Sequence, residues 1–369
     1  MPGSALRGCV VAAVFLLASV ALAQPLVRVL LDQRAEGLEV RIDGAHRGSI
    51  DGRAFATPFA LTWPVTAASD RLLVDGRAVG RQLELAPDAG EVHWNGLRYR
   101  GTLRLVARGD SVAVVNVVDL ETYLRGVVPA EMQASWPLEA LRAQAVAART
   151  YTLANLSPQA DYDVCATSDC QMYRGIGVEH ARTDQAVADT AGQVLTYGGT
   201  FARTYYHADS GGVIASSAEV WGGSIPYLSA FRDVASDGPH RHWEMRLDPA
   251  LVASHMTAAG HHVGSVHQVR VMATSESGRV ERLEVIGSAG RVVLGSTAAR
   301  AQARAWGLKS TLFRMAGDLV VRGEGWGHGV GMSQYGARAL ALAGYSYGQI
   351  LGFYYPATQL QRITTVATR

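Results

Sequence analysis

The chain has 369 residues, 48% of them hydrophobic, and a formal net charge of +2. That length accommodates one large domain or two, with ample chain to bury a core. So near a balance, the charge gives no reason to expect nucleic acid or an acidic membrane surface as partner.

The N-terminus has the pattern of an export signal. Arg7 supplies a positive region, Val10 to Leu22 is an apolar run broken only by Ser19, and Ala21-Leu22-Ala23 is an A-x-A cleavage site before Gln24. The run is too short to span a bilayer comfortably, and no later stretch is a candidate. Residues 1–23 are therefore expected to be a signal peptide, leaving no integral membrane segment after cleavage. The mature protein is expected in the periplasm, the cell wall or the medium. Cleavage removes Cys9 and leaves Cys165 and Cys170.

Residues 24–110 alternate apolar and polar in short runs, as in Leu26–Leu31, Leu38–Ile42 and Thr102–Val106. Asp43-Gly44, Asp51-Gly52, Asp75-Gly76 and Asn95-Gly96 punctuate them as hairpin turns. This region reads as a β-rich N-terminal module. The remainder, 111–369, reads as a mixed α+β domain, so the fold class is α+β. It begins with a strand over Val112–Val118 and a short helix over Asp119–Leu124.

Glu131 follows, with Val127, Val128 and Pro129 before it and Met132 and Trp136 after it. Apolar surroundings favour the neutral form of a carboxyl group and raise its pKa. An acid able to give and take a proton near neutrality is made in this way. A helix is predicted from about Pro137 to Asn155, with Leu138, Leu141, Ala145, Ala148 and Thr152 as its buried stripe. Arg142 and Arg149 lie on nearly the same face, either as an ion-paired edge or as holders of an anionic ligand.

A polar loop over residues 161–177 then leads to a helix capped by Thr183 and to a hairpin, Gln193–Tyr197 with Thr200–His207. Residues 238–319 read as a small α+β insertion, its helices opened by Asp248-Pro249 and by Ser296. The histidines of the insertion are too scattered for a metal cage. Past it, glycine recurs through Gly323–Gly336, and Ser333 caps a helix reaching about Ala343. That stretch presents His328, Ser333, Gln334 and Tyr335 either to a polar ligand or to a tight core turn.

Four blocks now carry a resemblance: Leu120–Met132, Trp136–Tyr151, Cys170–Gly175 with the loop His207–Gly212, and Gly327–Ala337. Together they resemble the family of stage II sporulation protein D and the amidase enhancer. The resemblance implies a lytic transglycosylase that cuts peptidoglycan glycan strands, preferring strands stripped of stem peptides, with Glu131 as the catalytic residue. It implies Arg149, Tyr151, Gln171, Tyr173, His207, Ser210, His328, Ser333, Gln334 and Tyr335 as cleft residues. The alternative within the same family is a wall-binding, non-catalytic enhancer of an N-acetylmuramoyl-L-alanine amidase. Some members bind a metal through one His and two Cys. Here no His lies between His93 and His180, so a Cys165–Cys170 disulfide is expected over zinc, and no cofactor.

Overall fold

The computed structural model describes residues 25–363. The expected signal peptide lies outside the described residues. Two largely antiparallel sheets, one of seven strands and one of six, make up the N-terminal half. Period-two patterning builds them: in Thr102–Arg108 the side chains of Leu103, Leu105 and Ala107 are buried while those between them are not. Inward residues of both sheets, among them Val27, Val29, Val40, Ile42, Leu83 and Leu85, share one core.

The turns behave as their chemistry dictates, with one exception. Asp51-Gly52, Asp75-Gly76 and Asn95-Gly96 each have positive φ at both residues, the signature of a type I′ hairpin. Asp43-Gly44 does not make a hairpin. The strands it joins, Leu38–Ile42 and His46–Ile50, belong to different sheets, so the chain crosses there from one layer to the other.

Strand Ser111–Asp119 pairs along its length with both Thr102–Arg108 and Leu26–Ala35. The β-rich region and the helical region therefore meet inside one sheet. From that strand the chain turns straight into helix α1, Leu120–Glu131, where the Asp119 carboxylate accepts from the Thr122 N–H at 2.9 Å. The helix is twice the length expected. It carries Pro129 within its last turn and ends on Glu131, with Met132 as C-cap.

Helix α2, Leu138–Asn155, is buried nearly all round rather than along one stripe. Ala145 and Ala148 face the N-terminal core, while Ala140, Leu141, Ala143, Val146 and Ala147 face a second core. A helix apolar on every side is one enclosed by protein. Helix α3, Ala181–Asp189, starts two residues before the expected Thr183, because His180 caps it. The hairpin after α3 is short: Gln193–Tyr197 pairs with Thr200–Phe201 only. Tyr206–His207 instead pairs in parallel with Met332–Ser333, which brings the glycine-rich stretch beside it. Gly331 has to be glycine there, since a Cβ would sit 2.1 Å from the Tyr205 carbonyl oxygen.

Helix α4, Ser217–Trp221, precedes the inserted segment, which holds α5 (Pro249–Ala258), a three-stranded sheet and α6 (Ser296–Ala305) around a third core. Gly295, not Ser296, occupies the N-cap of α6. Three contacts dock this segment on the body. The Ser277 N–H donates to Glu219, buried Arg279 donates to the carbonyls of Ser210 and Val213, and Arg304 pairs with Asp169. Helices α7 (Gln334–Leu342) and α8 (Tyr347–Tyr354) close the second core against α2. Among the described residues no helix is long and apolar enough to cross a membrane.

Candidate active site

Glu131 sits where three separate parts of the chain converge. One carboxylate oxygen accepts from the Met172 N–H at 2.7 Å and the other from the Gln334 amide at 3.1 Å. The Tyr206 hydroxyl also reaches it. The residue keeps some solvent access although its carboxyl is densely enclosed, as on the floor of a cleft. Burial is the dominant influence and raises the pKa above its ordinary value of 4.5. The three donors pull it back without cancelling the rise. A place at the C-terminal end of α1, the negative end of the helix dipole, disfavours the ionised form further.

Behind this carboxyl lies a buried network. Gln171 donates to Thr152 Oγ1 at 2.9 Å and to the Tyr123 hydroxyl at 3.2 Å, and accepts from the Tyr206 hydroxyl at 2.9 Å. Tyr206 has a single proton to give, so its bonds to Gln171 and to Glu131 compete. When Glu131 is protonated its own O–H can donate to the Tyr206 oxygen instead. The Tyr173 hydroxyl donates to Asn116 at 2.8 Å, and its ring packs 4.9 Å from that of Tyr123. Tyr173 lies directly on Gly126 of α1, where a Cβ would come within 2.5 Å of the ring. Gly126→Ala is expected to destabilise the fold by about 1–3 kcal/mol through overpacking and to displace Met172 from Glu131. Urea unfolding together with the rate of any cleavage activity measures both effects.

Cys165 and Cys170 are joined in a disulfide, with Cα atoms 5.3 Å apart. It closes a small loop that ends two residues before Met172, so it stiffens the segment whose N–H grips Glu131. Both sulfurs are spent in this bond and neither is a thiolate. His207 donates its Nδ1–H to the Val330 carbonyl at 3.1 Å. Two bonded sulfurs and this imidazole do not fit the zinc site of some family members.

The other candidates divide into two groups. Tyr151, His328 and Tyr335 keep partial exposure, and Gln334 touches Glu131 itself. His328 accepts the Val330 N–H at Nδ1 (3.0 Å), so its proton is on Nε2. Burial first, then the charges of Arg300 and Arg279, push its pKa down to about 3. Burial likewise lowers His207. Gln171, Tyr173, His207, Ser210 and Ser333 are all buried. Ser333 caps α7 by accepting the Gly336 N–H at 3.2 Å, and Ser210 donates to Asp233 at 2.7 Å.

Arg149 requires a correction. It is fully buried, bonded through Nε and Nη2 to both oxygens of Glu121 at 2.7 Å, and it donates further to the carbonyls of Val187 and Gln193. It ties α1, α2 and the end of α3 together and presents nothing to a ligand. Arg142 is likewise committed, to Glu139 and Asp189.

Sequence reasoning missed Gln144 and Tyr206. Gln144 is buried on α2 and accepts from Gln334 at 3.5 Å. In the sequence it stands among alanines with no signal of its own, and Tyr206 becomes relevant only through its pairing with the distant glycine-rich stretch. A hollow of about 600 Å³ lined by Leu30, Val106, Arg108, Ser111 and Tyr162 holds none of these residues. Chemistry rather than volume marks the Glu131 cluster.

Comparison with known proteins gives the chain its family. The family described as Stage II sporulation protein matches residues 108–197, which include α1, α2 and the Met172 loop. A domain of unknown function matches residues 240–331, which take in most of the inserted segment and the start of the glycine-rich stretch. The amidase enhancer of Bacillus subtilis is 32% identical over 288 residues, covering 64% of this chain, which spans 40% of that protein's length. An uncharacterised protein of Brachyspira hyodysenteriae is 30% identical, covering 71% of this chain and 72% of its own. The stage II sporulation protein D of Bacillus subtilis is 30% identical over 269 residues, with 67% of this chain and 75% of that protein aligned. With 30% identity over three quarters of that protein's length and the family model spanning the Glu131 helix, the chain belongs to the stage II sporulation protein D family.

Proposed function

We propose that this chain is an exported peptidoglycan lytic transglycosylase in which Glu131 is both acid and base. One observation carries the reading: a single, densely enclosed carboxyl with a raised pKa is held by donors from three parts of the chain. Among the described residues no second carboxylate shares a hydrogen-bond partner with it. Glycosidases that use water need two carboxyl groups flanking the bond. A transglycosylase needs one, because the nucleophile belongs to the substrate.

The reaction follows from that economy. Protonated Glu131 gives its proton to the oxygen linking muramic acid C1 to the next N-acetylglucosamine, and the C1–O bond breaks. The carboxylate left behind takes the proton of the muramic acid 6-hydroxyl. O6 then attacks C1 and closes a 1,6-anhydro ring, leaving Glu131 protonated again. No water is consumed and no cofactor enters. The intramolecular attack gains from proximity. Met172 N–H and Gln334 fix the carboxyl, Tyr206 shares its proton, and Tyr151, His328 and Tyr335 supply partly exposed cleft wall.

Mass spectrometry of products from peptide-stripped and intact peptidoglycan tests the reading. Anhydro-muramic ends are expected. Reducing ends, one water heavier, would mean a hydrolase. No cleavage would favour the second reading, to which the amidase enhancer likeness points: a wall-binding partner of an amidase. Adding an amidase and measuring stem-peptide release tests that one.

Glu131 must start protonated, so kcat/KM is expected to fall on the alkaline side, with a limb above the ordinary carboxylate range. His328, neutral down to about pH 3, contributes no limb near neutrality.

A further inference from the structure

The inserted segment carries a half-buried cation, Arg300, that forms no ion pair among the described residues. Arg304 on α6 pairs with Asp169, in the disulfide loop that leads to Met172. Arg300 lies one turn earlier on the same face of α6. Its guanidinium carbon rests 5.6 Å from the centre of the Trp221 ring, and it makes no hydrogen bond or ion pair to any described residue, although it is half-buried. Arg28, Arg142 and Arg149 hold carboxylates, whereas buried Arg279 is spent on the carbonyls of Ser210 and Val213. Trp221 stacks on Tyr205 at 4.5 Å and on His328 at 5.2 Å, and still exposes 41% of its surface. Tyr205 in turn packs 6.0 Å from the ring of Tyr151 on α2. A connected group of rings, Trp221, His328, Tyr205 and Tyr151, therefore runs from Arg300 to the partly exposed Tyr151 of the cleft.

An aromatic surface suits the apolar face of a pyranose, and a lone guanidinium suits a carboxylate. We propose that Arg300, held against Trp221, is the specificity-determining group of a subsite for a sugar bearing a free carboxylate. The identity of that sugar rests on the function proposed above. In a peptidoglycan strand the carboxylate is the lactyl group of muramic acid. With a stem peptide attached this group is an amide and carries no charge, so Arg300 reads whether the peptide has been removed. The inserted domain thereby has a role in choosing substrate, distinct from the bond-breaking role of Glu131.

Binding in the Glu131→Gln background, where turnover is blocked, tests this without relying on cleavage. The probes are peptide-stripped strands, the same strands with lactyl carboxylates converted to methyl esters, and an N-acetylglucosamine oligomer that has none. Esterification is expected to weaken binding about ten- to a hundredfold, the worth of one charged hydrogen-bonded contact. Adding Arg300→Gln should lower affinity for stripped strands by the same factor, abolish discrimination against the ester and leave the uncharged oligomer unaffected. Retained oligomer binding shows that the variant is folded. Discrimination that survives Arg300→Gln, or an Arg300-bearing protein that binds ester and acid equally, would overturn the proposal. Selective binding without anhydro products would leave this subsite standing and remove the transglycosylase reading instead.

Discussion

Glu131→Gln is expected to reduce glycan cleavage by about 10²- to 10⁴-fold, the range over which a positioned acid–base group acts. The amide keeps the shape and still accepts from Met172 N–H, so substrate binding should persist while the rate is lost. Stability should move the other way. The folded pKa of Glu131 is raised above the unfolded one, so the fold binds the proton more tightly than the unfolded chain does. The stability contributed by that protonation is complete below the unfolded value near 4.5 and is lost as pH rises through the folded value. The glutamine variant carries no ionisable group there. Its melting temperature should equal the wild type's at pH 4 and match or exceed it at pH 8, as thermal unfolding by circular dichroism will show. A variant less stable at pH 8 than at pH 4, relative to wild type, would contradict the raised pKa.

Arg149→Met is expected to cost about 3–5 kcal/mol, the usual penalty for breaking one side of a buried ion pair. Glu121 would lose both of its bonds to the guanidinium, and the Val187 and Gln193 carbonyls would lose donors. The urea midpoint should fall with the slope unchanged. Cleavage per folded molecule should stay within a factor of two of wild type, because Arg149 touches no cleft surface. A collapse in kcat/KM with an unmoved midpoint would return Arg149 to the list of ligand contacts.

What could be read from the sequence followed physical locality. Glu131 stood out because its apolar neighbours are adjacent in the chain, and in the fold burial does raise its pKa. The α+β class and the type I′ turns at Asp51, Asp75 and Asn95 were equally local, since φ preference and alternation act over a few residues. The helix expected over Asp119–Leu124 falls short: α1 takes in Pro129 in its last turn and runs on to Glu131. Arg149 could not be sorted from periodicity, because a buried pair with Glu121 and a ligand contact place the same residue on the same helix face. Gln171, Tyr206 and Gln334 meet only after segments up to 203 residues apart fold together. Their roles belong to tertiary structure, as does Arg300's.

The inserted segment leaves and re-enters the body at one place. Its strand Trp243–Arg246 pairs antiparallel with Val320–Gly323, and the Gly325 N–H donates to the His240 carbonyl at 2.7 Å. A strain introduced within the segment therefore reaches the body through this shared edge and through the anchors at Ser277, Arg279 and Arg304, the last of them beside the loop that holds Glu131.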